Sequence, residues 1–552
     1  MPSEKYSDQP YVVKAKDGAW VMCVTTGQGF EGEGGQHVIS SRSTDLGRTW
    51  EAPVDVESAL SPESSYAVLY ATEWGRIYCF YNYNADNVRE IPADWPGGVC
   101  RRVDSLGHFV FKYSDDFGRS WSEKWYEVPV RLMREDREEN PTGGRIPFFW
   151  NVGRPFSTER GVYVSLYKIA SVGEGTWHNT QGVFLFSENL ATERDPERIT
   201  FVTLPDGDEG VHTDRQTEGY VSEEHSTVVL SDGTLFTVFR TVTGHPYYAR
   251  SLDGGHTFTR PLPLCYREGQ PVFHPRAANF LWKCKNGKYL YWHHNANSRS
   301  WNNRNPVFLS GAVEAPGEGG MTLRFSQAEV VLYDDDPMIR ISYPDLVEDG
   351  GYFLTETQKS IARVHPLDEG MLLDLWRDAE GGTLPEEGEP VGDTLSLPPL
   401  AVETHSFDAH AERTDAAFAL SVTHGGKRGT VFSAMERGRG VSLTWDGERY
   451  TFRMSDGERG FYLESPAVTE GRHRVTVTVD GPARVARFFV DGTAPSPRDR
   501  LLNWGRFPAD LAHLGEGLPV VLGEGSEDLC YSPHHLAAPR VSMIDRGAGW
   551  KE

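Results

Sequence analysis

The chain has 552 residues, 38% hydrophobic and 12% aromatic, and 55 basic against 79 acidic side chains, a net charge of −24. Such an acidic surface argues against binding of nucleic acid or an anionic membrane, both of which need clustered positive charge. No run of about 18 apolar residues offers a transmembrane helix. The apolar content is ample for a folded core.

The opening segment, MPSEKYSDQP, lacks the basic and apolar regions of a secretory leader, and the six cysteines (23, 79, 100, 265, 284, 530) follow no CxxC spacing. This pattern predicts reduced thiols and a cytoplasmic protein. With 57 Gly, 34 Pro and many aromatics, the composition favours short strands and tight turns.

In chain order, one unit repeats. Ser43-Thr-Asp-Leu-Gly-Arg-Thr-Trp50 returns as Ser114-Asp-Asp-Phe-Gly-Arg-Ser-Trp121 and as Ser251-Leu-Asp-Gly-Gly-His-Thr-Phe258. Worn copies stand at Phe186-Ser187 and Leu309-Ser310. The Asp can accept backbone N–H groups across a hairpin, and the Gly supplies a positive φ. A second signal is a β-rich run, a turn and another β-rich run. Its turns are Lys16-Asp-Gly18, Glu73-Trp-Gly75, Glu159-Arg-Gly161, Ser231-Asp-Gly233, Lys285-Asn-Gly287 and Glu348-Asp-Gly350. Six such hairpins predict six blades around one axis, with a seventh open if residues 131–149 hide strands.

After residue 365 the pattern changes. MLLDLW (371–376) predicts a short helix, and the Pro/Gly/Glu-rich stretch 377–404 reads as a linker. From 405 alternating strands resume at sandwich spacing, with Trp445 and Tyr450 as aromatics that could meet a sugar, and the last residues, about 526–552, could return to the propeller. The expected fold is therefore all-β, a six-bladed propeller over 1–376, a linker over 377–404, and a β-sandwich (jelly roll) over 405–552.

The S-x-D-x-G-x-[ST]-[WF] units resemble the Asp boxes of the sialidase-like propeller superfamily, over about residues 5–368. The ending resembles a concanavalin-like (laminin-G-like) domain. The first resemblance implies a carbohydrate-active enzyme with its site at the hub, where residues entering each inner strand meet. Candidates there are Gln9–Tyr11, Arg154, Glu224, His225, Arg276, Tyr343 and Asp345.

Tyr343, in Tyr-Pro-Asp-Leu, resembles the family's tyrosine nucleophile. Glu224 resembles the base that takes its proton, with Arg240, Arg276 and Arg304 as anion-holding arginines and Glu356 as an arginine-supporting carboxylate. A phenol needs such a partner, because its proton is lost only near pH 10. The set suits a retaining exo-glycosidase acting on an oligosaccharide with a terminal acidic or uronate-linked sugar.

Two departures stand out. The family's Arg in Phe/Tyr-Arg-Ile-Pro is replaced by Asp8-Gln-Pro, and the loop before the first Asp box has no Asp but offers Gln36-His37. His37 then takes the acid/base place. Gly-Gly-Gln-His also resembles propeller enzymes acting on rhamnose–glucuronate linkages, including lyases, in which His37 or Tyr343 serves as base. A non-catalytic glycan-binding propeller is the third reading.

No cofactor is expected. His293-His294 are adjacent on a strand and point to opposite faces, and Asp334-Asp-Asp336 reads as a solvated turn, so no metal is expected either.

Overall fold

A computed structural model describes the chain apart from residues 103, 174–175, 216–219, 335, 382–387, 398–402, 405–411, 414–416, 482, 496–500, 509–510, 512–513, 515–516, 533–541 and 544–552. Residue 405, where the sandwich was expected to begin, lies outside the described residues, as do the last nine.

Six antiparallel sheets follow one another in sequence. Their innermost strands are Tyr6–Lys14, Ser64–Ala71, the broken pair Phe149–Trp150 and Phe156–Thr158, Glu223–Val229, Phe280–Lys283 and Ser342–Glu348. Each is joined to its second strand by one of the six turns read from sequence, which is the local reason the blades form. The fold is a six-bladed propeller. Residues 131–149 add no seventh sheet among the described residues. They form a short helix, Arg134–Glu138, and the start of the third blade's inner strand.

The Asp boxes close the outer edges of blades one, two and four. In the first, Asp45 accepts from Thr49 N at 2.9 Å and Thr49 Oγ1 at 2.6 Å, while Gly47 N donates to Ser43 Oγ at 2.9 Å. Asp116 and Asp253 repeat this geometry. The worn copy at Ser187 keeps the turn with Asn189 in the acidic place. Ser310, by contrast, lies inside the strand Val307–Gly317, so Leu309-Ser310 is no box.

Ring closure joins the first inner strand to the two innermost strands of blade six through side chains. Thr355 Oγ1 and Thr357 Oγ1 donate to the carbonyls of Pro10 and Ser7, both at 2.6 Å, and Val12 N donates to Asp345 Oδ2 at 2.9 Å.

The expected short helix is longer, Glu369–Glu380, capped by Asp368, whose carboxylate accepts from Met371 N, and ended by Gly381 at φ 81°. The stretch read as a linker is only partly one. Glu389–Pro390 and Thr394–Leu395 pair with Cys530–Tyr531 and Leu518–Pro519, because Leu395 and Leu397 have a core to enter that composition does not reveal.

The sandwich sets a six-stranded sheet, centred on Ala417–His424 and His473–Asp480, against a five-stranded sheet centred on Arg439–Trp445 and Tyr450–Asp456. Its core takes the inward alternate residues of both sheets. Trp445 and Tyr450 are in that core, 2% and 0% exposed with rings 4.2 Å apart, so neither can meet a sugar. The chain does return to the propeller: Ser542–Met543 pairs in parallel with Leu332–Tyr333 of the fifth blade.

Candidate active site

Four of the inner strands share a feature that hydrophobic pattern does not show. Each slips register near its start, and each slip carries a residue with positive φ: Gln9 (53°), Tyr66 (59°), Glu224 (56°) and Tyr343 (48°). These are β-bulges, which re-aim a side chain out of the regular alternation. A left-handed φ on a bulky non-glycine residue is unfavourable and persists only where surrounding structure enforces it, as at functional sites.

Glu224 and Tyr343 thus enter the hub from different blades and meet. Tyr343 Oη donates to Glu224 Oε1 at 2.9 Å. Arg240 Nη1 lies 3.0 Å from Glu224 Oε2 and its Nε 2.5 Å from Glu223 Oε2. Arg276 Nη2 holds the other Glu223 oxygen at 2.8 Å. Glu223 is therefore a fork that fixes two guanidiniums side by side. Arg304 is fixed differently, by Ser342 Oγ and the Trp301 carbonyl, both at 2.8 Å.

Tyr343, Arg240, Arg276 and Arg304 line a cleft of about 160 Å³ with Glu31, Arg102, Trp150, Trp301, Arg340 and Lys359. Among the described residues, Glu31 is the only carboxylate on the cleft's wall. Its partners are Arg102 at 2.9 Å and Lys359 at 3.2 Å. Lys359 also holds Asp8 at 2.7 Å and stands 4.4 Å above the Tyr343 ring. Asp8, which stands where the family resemblance expects arginine, is thus matched by a cation from the opposite side of the ring closure.

Burial, then the Glu224 carboxylate, push the Tyr343 phenol well above its ordinary range. Burial raises Glu224 too, against the pull of Arg240. Burial would also raise Glu223 and Glu31, but the cations win: Arg240 and Arg276 hold Glu223 low, and Lys359 and Arg102 hold Glu31 well below the carboxylate range. At rest the tyrosine is neutral beside a carboxylate that can take its proton as the oxygen bonds to an electrophile.

Several expected site residues lie elsewhere. His37 opens the third strand of blade one, its Nε2 3.8 Å from Glu4 and 3.9 Å from Asp55, outside the cleft. Gln36 is a loop staple instead: its Nε2 donates to the Phe30 carbonyl and its Oε1 accepts from Ser65 Oγ. That staple folds the Gly-rich loop so that Glu31, rather than His37, reaches the hub. His225 is 1% exposed, 4.6 Å from the Phe239 ring, and burial lowers its pKa to about 3, so it is a neutral core residue.

Glu356 meets His365 at 3.1 Å rather than an arginine. Arg154 and Asp345 pair at 3.0 Å toward the other end of the axis, where Arg154 borders a wider opening of about 720 Å³ with Lys14, Trp282 and Glu348. Asp345 follows Tyr343 by two residues, but the bulge between them breaks the alternation, so the two serve opposite ends.

Sequence reasoning missed Glu31, Arg102, Glu223, Arg340 and Lys359. Lys359 had a signal: it follows the second strand of its blade much as Arg240 ends that of blade four. Glu31 had one in its Gly-rich loop, six residues before His37.

Neither a family model nor a curated protein matches the chain. Solved structures similar to it include the intramolecular trans-sialidase of Ruminococcus gnavus (16% identity, TM-score 0.44, 66% of this chain and 95% of that one). The leech intramolecular trans-sialidase is another (15%, TM-score 0.45, 67% and 69%). A mutant Trypanosoma rangeli sialidase displaying trans-sialidase activity spans more of the chain (13%, TM-score 0.44, 95% and 90%).

Proposed function

We propose that the protein is an exo-acting glycoside hydrolase that removes a terminal acidic sugar from a glycan. The observation that carries this reading is the buried Tyr343–Glu224 hydrogen bond beside Arg240, Arg276 and Arg304 in one cleft. The arginines bind the sugar's carboxylate as a pre-organised set of donors. Tyr343 Oη attacks the anomeric carbon as its proton passes to Glu224, the bond to the leaving oxygen breaks, and a tyrosyl-linked sugar forms. Water then displaces the sugar.

Glu31 takes the acid/base place in this reading, in preference to His37. It is ionised in the free protein because Lys359 and Arg102 face it. A bound carboxylate competes for those cations, which raises Glu31 toward protonation when a leaving group needs a proton. Glu31→Gln should therefore slow substrates with poor leaving groups far more than activated aryl glycosides.

Elimination from a uronate is the second reading, since a tyrosine beside a carboxylate can also serve as base. The test is incubation with sialosides, glucuronides and rhamnosyl-glucuronate oligosaccharides, following both released sugar and absorbance from a new C4=C5 double bond. Sugar release without absorbance, lost at least about 10³-fold in Tyr343→Phe, is expected. A rise in absorbance indicates elimination. Binding with neither product, unchanged in Tyr343→Phe, indicates a glycan-binding propeller and overturns the proposal.

A further inference from the structure

The cleft's cations are not equal. Arg240 and Arg276 share Glu223, Arg102 is paired with Glu31 and Asp104, and Lys359 with Asp8 and Glu31. Two guanidiniums have no carboxylate. Arg304 is held only by a hydroxyl and a carbonyl. Arg340, half-buried, makes no hydrogen bond or ion pair among the described residues. Arg304 still feels Glu31 and Glu224 across the cleft, whereas Arg340 has no such counter-charge among the described residues and is the cation left to meet an anion.

Arg340 is not a loose surface side chain on a loose loop. Its neighbour Ile341 donates N–H to the Arg304 carbonyl at 3.3 Å, which lays the two arginines' loops side by side. Asn305 Nδ2 donates to the carbonyls of Asp334 and Asp336 at 2.7 and 2.8 Å. The sandwich adds a brace from outside: Arg506 Nη2 donates to the same Asp334 carbonyl at 2.7 Å, and Trp504 Nε1 to the Asn295 carbonyl at 3.1 Å. Asn297 N also donates to the Leu501 carbonyl at 2.8 Å. Both ends of the Arg340 loop and the loop bearing Trp301 and Arg304 are thus tied down. A cation kept free of partners on a fixed frame binds an anion at the ordering cost of its own side chain, with no loop to order besides.

We propose that Arg340 forms an outer anion subsite, so that the preferred ligand carries two anionic groups. One sits on Arg240, Arg276 and Arg304. The second, a carboxylate or a sulfate ester on the adjoining unit, sits on Arg340. This deepens the proposed function and rests on it where that ligand is the sugar cleaved; the anion subsite itself is testable without turnover.

The test is calorimetric titration of the full chain with benzoate, isophthalate and benzene-1,3-disulfonate. Isophthalate or the disulfonate should bind about tenfold or more tightly than benzoate, the scale of one added charge contact, and the gain should shrink with salt. Which dianion gains more separates a carboxylate from a sulfate ester as the natural group. Arg340→Gln should bring the dianion down to the level of benzoate, while Arg340→Lys should restore part of the gain. Equal binding of mono- and dianions, a preference that survives in Arg340→Gln, or no binding of any probe at millimolar concentration would overturn the inference. A failure of the glycosidase reading shows up separately, as no sugar released from any glycoside of the panel while the dianion preference persists.

Discussion

The two ends of the propeller axis are built from the same inner strands yet do different work. At one end, bulged residues Glu224 and Tyr343 bring a carboxylate and a phenol together beneath arginines. At the other, on the regular continuation of the same strands, Asp345 holds Arg154 at 3.0 Å and accepts from the backbone N–H groups of Val12 and Leu346, both at 2.9 Å. The first end leaves cations facing a cleft. The second satisfies its buried carboxylate and stitches blade six to blade one. Charged residues at a hub are therefore not by themselves a sign of chemistry; what separates the ends is whether the local partners cancel the charge.

The sharpest way to break this contrast is Glu223→Gln. Glu223 is fully buried and is the shared partner of Arg240 and Arg276. Its loss takes one of two carboxylates from buried Arg240 and the Glu223 carboxylate from buried Arg276, which should lower kcat/KM at least about a hundredfold and destabilise the fold by about 3–5 kcal/mol. Wild-type kinetics in this variant would show that the fork does not organise the cleft.

Asp345→Ala sharpens the contrast from the far end. It strands two backbone donors and takes the carboxylate from Arg154, at a cost of about 2–3 kcal/mol. Denaturant unfolding should register that loss, while kcat on a cleaved glycoside stays within about twofold. A large fall in kcat with intact stability would mean the far end belongs to the site after all.

The smallest effect is a slope. His225 and His274 are buried neutral, each with its pKa lowered by burial to about 3 from 6.5. The unfolded chain takes up their protons below about pH 6.5 and the folded chain only below about 3. Their contribution is therefore whole above pH 6.5 and is lost as pH falls through the window from 6.5 to 3, by about 1.4 kcal/mol per unit for each. Unfolding free energies between pH 7 and 4 check this, and a flat profile would place charge on these histidines in the fold.

Much of the architecture was legible from residues. The six hairpin turns and three Asp boxes are local, because a Gly with positive φ and an Asp that accepts its neighbours' N–H groups need nothing distant to form a turn. The opposed residues Glu224, Arg240 and Tyr343 were legible for the same reason, since inner-strand entry points converge wherever blades close a ring. His37 misled because it is the conspicuous titratable group of its loop, whereas the Gln36 staple and the Gly-rich chain before it turn Glu31 inward instead.

By itself, then, the sequence determined the repeats, the turns and the all-β layout, since each depends on interactions within a few residues. Only the tertiary structure decided the register slips at Gln9, Tyr66, Glu224 and Tyr343, which no side-chain period encodes. It also decided which cations are cancelled. Glu223 serves Arg276 from 53 residues away and Lys359 serves Asp8 from 351, while Arg340 has no partner among the described residues. Charge compensation acts through space over a few ångströms, and spacing along the chain carries no record of it.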